Sequence, residues 1–171
     1  MSATPRDVLL HNDKTSLCKA IEHLPVTSAQ KALGIFSRPD GCMVHHEIYL
    51  HQKAETWATA VQAQHFWKDD IWYGLNSTGM KSVEYPLVTT TFSQKDCAHI
   101  MAPILPSCLS SLKVQRNLPQ TLVYAPLAYL GLGIHDPWLS QLIAHIQVIL
   151  HHAACPTTTG SLLHSNMENL T

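Results

Sequence analysis

Asp69-Asp70 is the only acidic doublet in the sequence, and paired carboxylates are what a polymerase uses to hold two divalent ions beside a primer end. Here the pair opens a predicted helix, in Lys68-Asp69-Asp70-Ile71, and lacks the flanking strand–turn–strand that would present it to substrate. Acidic residues at that place complement the helix dipole, so the doublet reads as a helix-start pair. His46-Glu47 with His51 comes close to a zinc-protease motif, which needs its two histidines at i and i+4. Position 50 is Leu50, and His51 is turned away by about 100°. His151, His152 and Cys155 share a helix end, with two of them at i, i+4 spacing, but a structural zinc site needs a fourth ligand. Histidines in a last helical turn also interact well with its dipole. Gly131-x-Gly133 lacks the third glycine of a dinucleotide loop. No G-x-S-x-G occurs and no cysteine carries a nucleophile motif. Trp57, Trp67, Trp72 and Tyr73 have faces on which bases can stack, yet at helical spacing they read first as core. No complete catalytic site, cofactor site or metal site emerges.

The elements that would position these groups are mostly helices. Residues 1–30 show weak periodicity and read as a poorly defined N-terminal segment. Lys31 to Phe36 reads as a short strand running into a tight turn at Arg38-Pro39-Asp40-Gly41. His45 to His65 has no Pro or Gly and places Ile48, Ala54, Trp57, Ala58 and Val61 on a helical stripe. A second helix is predicted over Lys68–Glu84, with Ile71, Trp72, Leu75 and Val83 inward, weakened by Gly74 and Gly79 and ended near Tyr85 by Pro86. Residues 87–92 are β-branched and read as extended or as a helical continuation. Ser93 with Asp96 forms a capping box ahead of a third helix, carrying Cys97, Ile100, Met101 and Ile104, that Pro103 kinks and Pro106 stops. Residues 107–135 read as irregular. Asp136-Pro137 is an N-cap and N1 pair that opens the clearest amphipathic helix, with Leu139, Leu142, Ile143, Ile146, Ile149 and Leu150 on one face. Pro156 ends it, and a short last helix holds Leu162, Leu163, Met167 and Leu170. The fold class is therefore mainly α, with a short N-terminal strand and turn and an irregular middle.

Composition narrows the function classes. The 171 residues are 46% apolar and 13% charged, a charged share about half that of ordinary globular chains. So sparse a charge suits a piece normally covered by other parts of a larger protein. Eleven Lys and Arg face twelve Asp and Glu, so no basic excess supports tight autonomous binding of nucleic acid, and any such contact must come from a local patch. Five cysteines without a C-x-x-C pair are neither a disulfide framework nor a zinc knuckle, and they fit a reducing, intracellular compartment. No stretch is apolar and long enough to span a membrane.

Several runs, read together, carry a resemblance. Ala32-Leu33-Gly34-Ile35 with Pro39-Asp40-Gly41 resembles the "LGV…PDG" strand and turn downstream of the palm in non-LTR-type reverse transcriptases. Lys81-Ser82-Val83-Glu84-Tyr85-Pro86-Leu87 is similar to their "K-x-x-E-Y-P-L" segment. Asp96-Cys97 through Ile100-Met101-Ala102-Pro103-Ile104-Leu105 is similar to "E-C-x-x-I-M-x-P-I-L". Leu122-Val123-Tyr124-Ala125-Pro126 and Tyr129-x-Gly131-Leu132-Gly133-Ile134 resemble "LVYGP…Y-x-GLGI", and Ile143-Ala144-His145-Ile146 and Thr159-Gly160 follow in the same order. The pattern is that of retroelement reading frames of diatoms and other protists. It covers roughly residues 31–165.

The resemblance implies that residues 31–171 are a helical thumb or connection region, which in such enzymes packs on the palm and grips the template–primer duplex. The palm, with its Tyr-x-Asp-Asp doublet, lies upstream in the family. Two positions depart from the pattern: Gln120 replaces a cation in Arg116-Asn117-Leu118-Pro119-Gln120, and Ala125 replaces a glycine. The expected function is a non-catalytic fragment of an RNA-directed DNA polymerase. Lys81, Lys113 and Arg116 are then the phosphate contacts to RNA or DNA, because they lie in or beside the matching runs, and an upstream palm domain is the expected protein partner. The alternative is a helical protein-interaction module unrelated to polymerases. Neither reading uses the His/Cys group at 151–155, so calorimetric zinc titration at neutral pH should find no site tighter than micromolar; a tight one-to-one site would contradict the spacing argument.

Overall fold

The computed structural model describes residues 25–115 and 117–169, together with the paired strands at 9–11 and 18–20. The chain is mainly helical. Strands β1 (Leu9–His11) and β2 (Cys18–Ala20) pair antiparallel, as do β3 (Gln30–Ala32) and β4 (Ile35–Ser37). The segment 31–36, expected to be one strand, is instead a hairpin. Its two turn residues, Leu33 and Gly34, both have positive φ, as the mirror-image turn of a two-residue hairpin requires. Lys31 lies over the ring of Tyr49, and the Phe36 N–H donates to Nδ1 of His46 at 3.2 Å, which fastens the hairpin to the next helix.

That helix, α1 (Val44–Ala63), buries His46, Leu50, Ala54, Ala58 and Val61. The inward stripe runs through Leu50, and Ile48, expected to face inward, is 47% exposed. Buried His46 stacks on Phe92 and has no partner for Nε2. Burial, and then the nearby Lys31, hold its pKa below the usual histidine value.

The second predicted helix is realised as α2 (Lys68–Gly74), a π-helical turn (Leu75–Gly79) and α3 (Met80–Leu87), continuous in helical backbone through Gly74, Gly79 and Met80. The π turn has a reason. At about 100° per residue, positions 75 and 80 would diverge by roughly 140°. The wider turn absorbs that excess, and both Leu75 and Met80 reach the core. Gly79, read from sequence only as a weak point, lets the helix approach α1: a Cβ there would sit 3.2 Å from the Trp57 ring. Pro86 does not end the helix ahead of itself. It and Leu87 are buried, and that packing holds Tyr85 in the helical geometry that a following proline disfavours.

Ser93 and Asp96 form the expected capping box at the start of α4 (Gln94–Met101). Pro103 separates α4 from α5 (Ile104–Ser111). Pro106 does not stop the helix, because it falls in the first turn of α5, where a backbone N–H has no intrahelical partner to lose. The stretch 107–135 is accordingly less irregular than expected. It holds the rest of α5, then α6 (Gln120–Tyr124) and a 3₁₀ turn (Leu127–Tyr129). After that turn the backbone doubles back on α6, with Leu132 N–H donating to Leu122 O, Gly133 N–H to Ala125 O and Ile134 N–H to Val123 O. A side chain at Gly131 would meet the Ala125 carbonyl at 2.0 Å, so this return needs glycine.

Asp136 caps α7 (Pro137–Ala154) through the Trp138 N–H, with Pro137 in its first turn. The helix then docks the opposite way from its apolar pattern. Its buried residues are Pro137 and Gln141, while Leu139, Leu142, Ile143, Ile146, Ile149 and Leu150 are all exposed, between 37% and 64%. The docking contact is the Gln141 side-chain amide: Oε1 accepts the Phe92 N–H at 3.1 Å, Nε2 donates to the Phe92 carbonyl at 3.0 Å, and the Thr90 hydroxyl donates to the same Oε1. Finally α8 (Thr158–Glu168), capped by Thr157, folds back on α7. Gly160 makes that crossing possible, since a Cβ there would lie 2.4 Å from the Cys155 carbonyl. Of the last apolar set, Leu162 and Met167 are exposed, and Leu170 lies outside the described residues.

The core is shared by α1 to α6 and the Ile134 loop, with Leu50, Leu75, Met80, Leu87, Ile100, Ile104, Cys108 and Val123 at its centre. α1 packs on α4 and α5, α2 on α5, and α3 and α4 on α7. Gln141→Leu, close in volume but without the amide, should lower stability by about 2–4 kcal/mol in urea titration, because it strands two buried backbone groups of Phe92. A cost within error of zero would show that the amide does not hold the helix.

Candidate nucleic-acid interface

Helix α1 ends at Ala63, and the chain crosses to α2 in extended backbone at Gln64 and Trp67. Trp67 occupies the N-cap of α2 without a side-chain cap, a position at which Ser, Thr, Asp or Asn is preferred by about 1 kcal/mol. Its indole is 83% exposed. Asp69 and Asp70 follow in the first turn of α2. They complement its dipole, as read from the sequence.

Facing this crossing is the end of α5. Lys113 N–H donates to the Ser110 carbonyl and Val114 N–H to that of Leu109, the paired bonds of a Schellman ending with Lys113 at the left-handed position. Its φ is +58°. A side chain in that conformation costs roughly 1–2 kcal/mol, which is why glycine is usual there. The two segments bound a cleft of about 450 Å³ lined by His65, Phe66, Trp67, Lys68, Asp69, Ser111 and Lys113. It sets two lysines beside two exposed aromatic rings, the combination that tracks a phosphate backbone and stacks bases. One carboxylate, Asp69, opposes them.

The other expected contacts lie elsewhere. Lys81, on α3, donates to Glu84 at 2.7 Å, and Glu84 also accepts from His135 at 2.8 Å. Burial raises the Glu84 pKa, but the hydrogen bonds from Lys81 and His135 outweigh it and leave the carboxyl below its usual range. Lys81 is thus a partnered cation away from the cleft. Arg116 lies outside the described residues. Among the aromatics, Trp57 and Trp72 pack against the core as expected, whereas Trp67 and Tyr73 are exposed. The convergence of residues 65–68 with Lys113 had no sequence signal, since it depends on how α2 packs on α5.

The remaining candidates separate. His46 is buried under the hairpin, while the His51 ring stacks on that of His99 at 4.0 Å between centroids and its Nδ1–H donates to the His99 carbonyl, and His99 Nδ1 in turn bonds to Glu47. Among the described residues no three His, Cys, Asp or Glu side chains form a group able to hold a metal ion. Burial, then Asp136 and Asp96, push the Cys97 thiol up to about 11, and burial pushes Cys108 to about 12. Neither supplies a thiolate near neutral pH. No described helix is long and apolar enough to cross a membrane. Comparisons with protein-family models, curated proteins and solved structures returned no match.

The Lys81–Glu84–His135 group sets a pH dependence. A carboxyl with a lowered folded-state pKa stabilises the fold above its unfolded value and loses that contribution as pH falls. Glu84→Gln should therefore be less stable than wild type by roughly 1 kcal/mol at neutral pH. The gap should close as the solution is acidified below the ordinary carboxylate value of 4.5. A gap that widens on acidification would contradict the assignment.

Proposed function

We propose that this chain is a non-catalytic, thumb-like part of a retroelement reverse transcriptase that supports template–primer binding. The observation that carries the reading is the cleft at the end of α5, where Lys113 and Lys68 lie with exposed Trp67 and Phe66. A lysine kept in a left-handed conformation that glycine would occupy more cheaply is a strained position, and strain of this kind concentrates at functional places. Supporting it, the runs that resemble the polymerase family are one folded unit. They supply Val83, Leu87, Cys97, Ile100, Met101, Ile104, Val123 and Ile134 to a single core, and the "LVYAP" and "YLGLGI" runs are hydrogen-bonded to each other. Ala125, where the family pattern has glycine, has φ −63° and so needs no glycine. Its carbonyl and Cβ instead make Gly131 obligatory.

A second reading, a helical protein-interaction module, is favoured by one observation, the exposed apolar stripe of α7. The two differ in their answer to nucleic acid. In fluorescence anisotropy on a primer–template duplex with a single-stranded overhang, binding should weaken with salt, with a slope of about −0.9 per cation engaged. Trp67→Ala should lose about 1–3 kcal/mol. Lys113→Gly should bind more weakly while gaining roughly 1 kcal/mol of folding stability, because it relieves the left-handed strain. Negligible binding at low salt, or identical isotherms for all three proteins, would remove the polymerase reading and leave the interaction module.

A further inference from the structure

The stripe on α7 spans a full helical face. At 100° per residue, Leu139, Leu142, Ile143, Ile146, Ile149 and Leu150 fall within roughly 120° of one another, opposite Gln141, which faces the core. α8 packs on α7 and adds exposed Leu162 and Met167. At the inner end of the stripe, Leu139 and Ile143 form one wall of a groove of about 560 Å³ whose other wall includes Leu127 and Tyr124. Leu127 is itself 70% exposed.

Charge decides what this surface can take. From Pro137 to Met167 the sequence has no Asp, Glu, Lys or Arg. Along that stretch a partner recognised by charge would find no carboxylate, lysine or arginine to pair with, the one carboxylate in the groove being Asp136, and two identical hairpin faces of this kind do not repel. We propose that the α7–α8 hairpin is a self-association surface, which takes the same hairpin of a second copy about a two-fold axis and forms a four-helix arrangement. An antiparallel pairing centred between Ile143 and Ile146 matches the stripe to itself in length. It brings Leu150 of the second copy to Leu139, at the mouth of the groove that Leu127 helps to line. An aliphatic anchor seated in a pocket, repeated by symmetry at both ends, gives each end of the interface a desolvated contact. A standard interface buries ~800 Å² per partner, and the six stripe residues with Leu127, Leu162 and Met167, each 37% to 70% exposed, are the surface available for it. This inference goes beyond the duplex-binding reading and does not depend on it.

Sedimentation equilibrium of the full chain tests it, because mass action makes the dimer concentration-dependent. Wild type should rise from 19.0 kDa toward twice that mass as concentration increases. Ile146→Asp and Leu150→Asp, both at already exposed positions, should weaken association at least about tenfold, since each substitution enters the interface twice. Ile48→Asp, at a similarly exposed isoleucine on α1, should associate as wild type does. Far-ultraviolet circular dichroism would establish that all three variants keep their helices. A wild-type mass of 19.0 kDa at every concentration would overturn the proposal and leave the stripe to a different polypeptide. Association that persists in Ile146→Asp, or fails equally in Ile48→Asp, would overturn it as well.

Discussion

The side-chain amide of Gln141 sits beside Phe92 as a neighbouring β-strand would, accepting from its N–H and donating to its carbonyl. Phe92 lies just past α3 and just before the capped start of α4, in backbone that belongs to no helix, so its polar groups need partners from outside. Gln141 is 3% exposed, and leaving those groups unmet would cost about 1–3 kcal/mol each. This contact fixes how α7 is turned about its own axis. With Gln141 inward, the aliphatic stripe has to face out. Hydrophobic burial alone would have chosen the reverse, since each of those side chains would contribute on the order of 1 kcal/mol or more if covered. The rotation of α7 thus turns a core-forming pattern into an exposed apolar surface.

Sparse charge shapes the cleft between α2 and α5. With few ionic groups available, the cleft beside α5 draws its cations from one lysine at the start of α2 and one at a strained helix ending. Trp67 at an N-cap and Lys113 at a left-handed position both break local rules. Such breaks in an otherwise consistent sequence are where function is expected. The acidic doublet next to them obeys its local rule and serves the helix.

Most of the helices were legible because their signals are local. The Ser93–Asp96 box, the Asp136-Pro137 start and the gap-free run of α1 each act within a few residues, and each appears where the spacing places it. The failures are of another kind. Pro106 and Pro86 were read as terminators, but the effect of proline depends on its turn within the helix and on the packing that backs it. Gly79 was read as a weak point and Gly131 as part of an incomplete dinucleotide loop, and their use lies in partners far along the chain or across a return, namely the Trp57 ring and the Ala125 carbonyl. The stripe of α7 was legible residue by residue, but its direction was not, because periodicity shows that a face exists and not what lies against it. Of the candidate contacts, Lys113 lies in the cleft and Lys81 is held by Glu84. The aromatic and basic company of Lys113 is a product of tertiary packing.

The orientation of α7 underlies the exposed stripe, and it is open to direct observation by nuclear Overhauser spectroscopy on isotopically labelled protein. Cross-peaks should join the Gln141 side-chain amide protons to the backbone amide of Phe92, with none between the methyls of Ile143 or Ile146 and those of Leu87 or Ile100. Cross-peaks from the stripe methyls to the core, with Gln141 silent toward Phe92, would mean that the helix docks by its apolar face and that no such surface exists.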